Sequence, residues 1–210
     1  MEVVLLSYTH HAEQLCAAAA HGCYSTDSVA TVYKNMLNSK VEELINKVMK
    51  NGHHSVIEHA VYTFSVEGVS RTLTHQLVRH RIASFSQQSQ RYVKIGAPQY
   101  VLPPSVESDS MASKIFSEAM DRAWESYEFL SSKGIPKQDA RFVLPNACET
   151  NITFTMNARE LLHFFSLRLD KHAQWEIREM AGLMWGWLQD ASPLIFKKEY
   201  LEDGCSFKEE

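Results

Sequence analysis

Hydrophobic positions along this chain follow two periods, and the switches between them mark its elements. Residues 2–8, EVVLLSY, are β-branched and apolar, which predicts a first strand. Residues 10–22 are rich in alanine and read as a helix. A loop through Ser25, Thr26, Asp27 and Ser28 follows. Ser39-Lys40-Val41-Glu42 then has the form of a capping box, opening a helix that ends at Gly52. The segment GHHSVIEH reads as a helical turn. Tyr62, Phe64 and Val66 recur at every second position of 60–67, the period of a strand. Residues 69–80 look helical and 85–93 extended, and Gly96, Pro98, Pro103 and Pro104 make 94–108 a loop.

Between Asp109 and Ser132 apolar residues recur at 112, 115, 116, 119, 120, 123, 124 and 127, which predicts a long amphipathic helix closed by Gly134. Pro136 suits the first turn of a further helix, and Pro145 stops it. Ile152, Phe154 and Met156 alternate again as a strand. Two helices, 158–169 and 172–191, break near Asp170, and a mixed tail after Pro193 ends in charges. No repeat appears and no linker divides the chain. The expectation is one α+β domain over residues 1–210, a mixed and mostly antiparallel sheet wrapped by helices.

Composition narrows the function classes. The chain has 210 residues, 45% hydrophobic and 22% charged, with 8 Gly and 6 Pro, which excludes disorder and collagen-like structure. No apolar run reaches the ~20 residues of a membrane span. The N-terminal MEVVLLSYTHH lacks the basic region and apolar length of a signal peptide. Cys16, Cys23, Cys148 and Cys205 form no CxxC pair and read as free thiols of a reducing cytoplasm. A net charge of −4 argues against a nucleic-acid-binding module, so any anion site is a local pocket. No glycine fingerprint leads from a strand into a helix, which removes Rossmann and P-loop readings.

Three segments carry candidate chemistry. The densest is 75–92, HQLVRHRIASFSQQSQRY, where Arg79, His80, Arg81 and Arg91 alternate with hydroxyls and amides and with no carboxylate. Guanidiniums bind phosphate through paired hydrogen bonds, and amides read a base edge, so this segment suits a nucleotide-like anion. A basic triplet at a helix end also complements the helix dipole, which is the structural alternative. The second is His53-His54-Ser55-Val56-Ile57-Glu58-His59. As a helix it would put His54 and Glu58 on one face, but neither the HExxH nor the HxxEH zinc spacing fits, and no metal is expected. In the third, Asn157, Leu161, Phe164 and Arg168 share one helix face. A guanidinium at the core edge needs an anion, either an internal partner such as Asp170 or Glu176 or a bound ligand. Arg141, in ARFVLP, has the same two readings.

The segment RHRIASFSQQSQRY resembles the RHRxxSxxxxSxR signature of flavin-dependent thymidylate synthases, with Arg79, His80, Arg81, Ser84, Ser89 and Arg91 at the required spacing. GHHSVIEH resembles that family's GHxSxxEH, and ARFVLP, NAR and LRLDKHAQWEI follow in family order. The resemblance implies that family's fold, a cytoplasmic homotetramer with active sites shared between chains, and reductive methylation of dUMP to dTMP. FAD is the implied cofactor, with NADPH and methylenetetrahydrofolate as co-substrates. His53, Ser55, Glu58, Arg79, His80, Arg81, Gln87, Asn157, Arg159 and His163 fall at implied FAD positions. Gln76, Arg79, Gln87, Gln88, Ser89, Gln90, Arg91, Arg141 and Arg168 fall at implied dUMP positions.

The chain departs from the family pattern at Ser86-Gln87, where many members carry Asn-Glu, at Gln90, where many carry Gly, and at His163, where some carry Asn. The uracil ring must gain electron density before it attacks the methylene carbon. Ordinary thymidylate synthases use a cysteine for this. No hydroxyl here has an evident base, and only Cys148 lies near a motif. A guanidinium that stabilises negative charge at uracil N3 or O2 is the alternative, and Arg168 is the candidate catalytic residue.

Overall fold

The computed structural model describes residues 1–93 and 99–201. The expected loop residues Gly96 and Pro98, and Cys205 with the charged tail, lie outside the described residues. In chain order the elements are β1 (Glu2–Tyr8), α1 (Ala12–Gly22), α2 (Val29–Asn35), α3 (Asn38–Lys50), a 3-10 turn (His54–His59), β2 (Val61–Ser70), α4 (Arg71–Leu77) and β3 (Ala83–Gln87). Then come α5 (Pro104–Glu107), α6 (Ser110–Ser132), α7 (Lys137–Ala140), a short 3-10 turn (Arg141–Val143), β4 (Glu149–Asn157), α8 (Ala158–Arg168) and α9 (Trp175–Ala191), with a last 3-10 turn at Lys198–Tyr200. The four strands form one antiparallel sheet in the order β1-β2-β4-β3.

The chain forms two compact units. One comprises Met1, Val66–Val78 and Ser86–Ile152; the other Glu2–Ser65, Arg79–Phe85 and Thr153–Glu210. In the second unit the core is aromatic. Phe154 stacks near Phe64 at 5.8 Å between ring centroids and lies 6.1 Å from Phe85. Phe165 meets Trp185 edge-on at 5.1 Å, and Tyr62 meets Phe196 edge-on at 5.4 Å, the arrangement that ring quadrupoles favour. The buried Tyr62 hydroxyl donates to Ser192 Oγ at 2.7 Å, so its polar end is satisfied. Trp187 Nε1 donates to the Val3 carbonyl at 2.9 Å and ties α9 to β1. The Ala158 N–H donates to the Ala60 carbonyl at 2.8 Å, fixing the start of α8 beside the start of β2.

In the first unit, Ser70 Oγ caps α4 by accepting from the Leu73 N–H at 3.0 Å. The Arg71 and Thr72 N–H groups, left without helical partners in that first turn, donate to the Cys148 and Asn146 carbonyls at 3.1 Å each. Asp109 caps α6 through the Met111 and Ala112 N–H groups. Gly134, at φ 78, ends it in the left-handed conformation, and the Ile135 N–H returns to the Leu130 carbonyl.

Several boundaries differ from the sequence expectations. The capping box is absent, because α3 starts at Asn38 with Leu37 as its cap and Ser39 already inside the helix. Helix α2 is absent from the sequence expectations although Val29, Val32 and Tyr33 stand at helical spacing, and none of its residues is buried. Residues 69–70, expected as helix, extend β2, and α4 stops at Leu77 rather than 80. Consequently Arg79-His80-Arg81 lies beyond the helix, and β3 spans 83–87, overlapping the expected extended stretch 85–93 only at 85–87. The apolar stripe of α6 is real in spacing, yet only Tyr127 of this helix is buried and Ile115 is 59% exposed.

Replacing Phe154 with Ala removes the ring beside Phe64 and Phe85. It should cost about 3–5 kcal/mol, as large-to-small changes at buried aromatics do. Chemical denaturation should show a lower midpoint at an unchanged m-value.

Candidate active site

The implied site residues fall in both units. In the second unit, His53, Ser55 and Glu58 lie exposed on and beside the 3-10 turn. Because residues three apart eclipse there, His54 and Glu58 do not form the pair an α-helix would have made. Glu58 Oε1 instead accepts from Arg159 Nη1 at 2.6 Å, joining the 3-10 turn to α8 through a half-exposed ion pair. Arg79 and Arg81 are exposed and make no ion pair with any described residue.

His80, between these two arginines, points the other way and is 4% exposed. Its ring contacts Phe164 edge-on at 5.0 Å and lies 5.9 Å from His163, whose own side chain is exposed. Arg168 Nε donates to His80 Nε2 at 3.1 Å, and His80 Nδ1 lies 3.1 Å from Glu160 Oε1. An arginine Nε–H can only donate, so Nε2 must carry the lone pair and the proton sits on Nδ1, facing the carboxylate. The imidazole is therefore neutral. Burial, with Arg168 and His163 nearby, pushes the His80 pKa down to about 4. Burial pushes the Glu160 carboxyl up, opposed by His163. Burial also lowers the pKa of Arg168, with Arg79 adding to the effect. The sequence left Arg168 an internal partner such as Asp170 or Glu176, or a bound ligand; the structure adds the bond to His80, and the Asp170 carboxylate accepts from the His172 N–H at 2.7 Å. Asn157 caps α8 by accepting from the Glu160 N–H at 2.9 Å.

In the first unit, Gln87 points inward. Its Nε2 donates to Thr74 Oγ1 at 3.1 Å and to Thr150 Oγ1 at 3.2 Å, which commits the amide protons within the fold. Gln88 is exposed, and its backbone is held at both ends. Its N–H donates to the Asn151 carbonyl at 2.9 Å, and its carbonyl accepts from Arg71 Nη2 at 3.0 Å. Ser89 Oγ accepts from the Arg91 N–H at 3.2 Å, a local turn that sets the direction of Arg91. Arg91 itself is exposed with its guanidinium 5.4 Å from the Tyr92 ring. Gln90 is buried and Gln76 half-buried. Arg141 Nε donates to the Gln138 carbonyl at 3.2 Å.

Sequence reasoning missed two residues. Arg71 buries an Nε–H that has no hydrogen-bond partner, and burial and the nearby Arg141 lower its pKa. Like charge at Arg141 disfavours the charged form of Arg71 and adds to the cost of burying it. Glu160 was the other. Its signal was a carboxylate three residues after the cap, beside Arg159 in a first turn whose other residues, Ala158 and Leu161, are apolar. Among the described residues no group of three or more His, Cys, Asp or Glu side chains is placed to hold a metal, and no helix is long and apolar enough to cross a membrane.

A helix-bearing antiparallel sheet, with Arg79 and Arg81 in one unit and Arg71 and Arg141 in the other making no ion pair with a described residue, defines an α+β protein with two places of unbalanced positive charge. The sequence model of the family described as "Thymidylate synthase complementing protein" matches residues 4–194. Curated relatives called flavin-dependent thymidylate synthase include those of Clostridium tetani and Geobacter sulfurreducens, each 46% identical, over 94% of this chain and 86% of the relative. That of Sulfurisphaera tokodaii is 42% identical over all of this chain and 80% of its own. Among solved structures, the UMP/dUMP methylase PolB from Streptomyces cacaoi, bound with 5-Br dUMP, superposes with a TM-score of 0.83 at 25% identity, covering 93% of this chain and 92% of that one. The chain belongs to the thymidylate synthase complementing protein family.

The neutral, buried His80 makes stability depend on pH. Its pKa is about 4 when folded and 6.5 otherwise, so the unfolded chain binds more protons between those values. Stability from this group is complete above pH 6.5 and is lost as pH falls towards 4. A melting-temperature series should show that decline, and His80→Gln should flatten it relative to the unaltered protein.

Proposed function

We propose that this protein is a flavin-dependent thymidylate synthase, methylating dUMP to dTMP with methylenetetrahydrofolate as carbon donor and NADPH as reductant. The observation that carries the reading is the set of unpaired arginines within segments whose residues match the family signature. Arg79 and Arg81 stand exposed without a carboxylate, in the same unit as His53 and Ser55, and this excess of donors fits the pyrophosphate of FAD. Asn157, Arg159, Glu58 and His163 complete that flavin-side group. When bound, FAD supplies the hydride that reduces the transferred one-carbon unit.

For dUMP, Gln76, Gln88, Ser89, Gln90, Arg91 and Arg141 supply the binding groups, with Arg71 adding positive charge beside Arg141. Gln87, its amide protons committed to two threonines, shapes β3 and offers a ligand only its carbonyl. Arg168 is the catalytic residue. Its guanidinium meets negative charge growing at uracil N3 or O2, so it favours the transition state over the ground state. Cysteine chemistry is disfavoured on physical grounds. Burial raises the thiol of Cys148, and pushes that of Cys16 up to about 12, so neither is an activated thiolate.

The active unit is a cytoplasmic homotetramer with sites built from more than one chain, residues 1–210 acting as one catalytic domain. The incompletely buried α6 stripe and the exposed Ile82 and Phe142, 65% and 83% accessible, support an assembly that covers them. Mixing inactive Arg79→Ala and Ser55→Ala chains should regain activity if sites are shared; no recovery in a verified mixed oligomer counts against sharing.

Purified protein should be yellow or turn yellow on adding FAD, and denaturation should release FAD. With dUMP, methylenetetrahydrofolate and NADPH it should form dTMP. Protein that stays colourless after FAD addition and desalting, and makes no dTMP, refutes the reading. Arg168→Ala should lower kcat by on the order of 10²–10³, as removal of one charge-stabilising donor does, with FAD content unchanged. Cys148→Ala should keep dTMP formation within about tenfold, roughly 1.4 kcal/mol of barrier.

A further inference from the structure

We propose that Glu160 is a positioning residue for the reaction, holding the His80 imidazole so that its Nε2 lone pair fixes the plane of the Arg168 guanidinium. The inference rests on Arg168 being the group that activates uracil. Arg168 reaches its position on a long side chain with several rotatable bonds. A hydrogen bond at Nε removes rotation about the last of them and orients the remaining N–H groups together. Only an imidazole with an unprotonated Nε2 accepts that bond. The alternative tautomer, or the imidazolium, would set Nε2–H against Nε–H, two donors facing each other. A carboxylate on Nδ1 is what selects the required form, because it accepts from Nδ1–H and cannot donate when ionised.

The surroundings keep Glu160 in that role. The Asn157 cap anchors its backbone N–H in the first turn of α8, where the helix dipole favours negative charge. Side chains of both Glu160 and His80 are almost entirely buried, 7% and 3% exposed, so water does not compete for the bond. The charged and titratable groups facing His80 are Glu160 and His163 from α8 and Arg168 at its end, with Arg79 beside Arg168 in turn. No other group in this set can hold the Nδ1 proton at this distance. Glu160 touches neither substrate nor cofactor in this reading; it acts through His80 and Arg168.

Three measurements test this. Nitrogen-15 spectra of the histidine rings in the unaltered protein should show His80 neutral with its proton on Nδ1 at neutral pH. A proton on Nε2 overturns the proposal without any variant being made. Glu160→Ala should lower kcat by on the order of 10–100-fold, the usual cost of losing a group that orients a reacting one, with KM for dUMP nearly unchanged and FAD retained. Glu160→Gln, which keeps an acceptor at the same reach, should recover most of that loss. Equal loss in both variants, together with loss of FAD and a collapsed melting temperature, assigns Glu160 to the fold alone and overturns the proposal. Arg168→Ala separates the two ideas. If Glu160 acts through Arg168, the Glu160→Ala effect should largely vanish in the Arg168→Ala background. An undiminished effect there overturns the positioning role. Full activity in Arg168→Ala alone overturns the underlying assignment of Arg168.

Discussion

A guanidinium has donors on every nitrogen and no acceptor, and that single fact orders the candidate site. Arg168 at the end of α8 turns its Nε–H towards a buried imidazole, which must then be neutral and protonated on the far side. The far side meets Glu160, a carboxylate that burial penalises and the N-terminus of α8 favours. Asn157 holds the first turn of α8, and the Ala60 carbonyl holds the Ala158 N–H. Each link leaves the next group one usable geometry, from the start of β2 through a helix cap to the far end of the same helix.

The surrounding packing serves this arrangement. Phe164 meets the His80 ring edge-on, and Phe165 on the next position of α8 meets Trp185 of α9. A buried polar network is stabilising only when all its members are satisfied, and apolar walls keep it that way by excluding water. Arg79 and Arg81 flank His80 in the chain but face solvent. A three-residue segment thus gives one side chain to the interior and two to solvent. That division accompanies the end of α4 at Leu77, which leaves the triplet in the turn and irregular chain between α4 and β3.

In the other unit the logic is one of unbalanced charge. Arg71 has a buried Nε–H without a partner and stands close enough to Arg141 to depress its own pKa. Neutralising such a pair internally would take a carboxylate, and Gln87 and Gln88 stand on the nearby chain where many family members carry an acid at 87. Gln87 has turned that position into a brace, its amide bridging Thr74 of α4 and Thr150 of β4. Part of the polar capacity of this segment is therefore spent within the fold, on Thr74, Thr150 and the backbone at Gln88.

Much of this was written in the sequence. Alternation at Tyr62, Phe64 and Val66 and at Ile152, Phe154 and Met156 identified the inward faces of β2 and β4, because a strand side chain's direction depends only on its parity. The arginine–hydroxyl–amide segment suggests an anion, a reading that stays a proposal, since residue types fix charge and donor capacity without reference to the fold. Local pattern failed where a competing interaction was distant. Ser39 did not cap α3, and the helical spacing of Val29, Val32 and Tyr33 in α2 went unread. Arg168 bonds His80, 88 residues away in sequence. The imidazole's tautomer, the burial of Glu160 and the lack of an ion pair between Arg71 and any described carboxylate are properties of which segments are brought together. Sequence determined what each side chain is able to exchange; the tertiary structure alone decided with which partner, because a hydrogen bond requires its two atoms within about 3 Å and only the folded chain sets that distance.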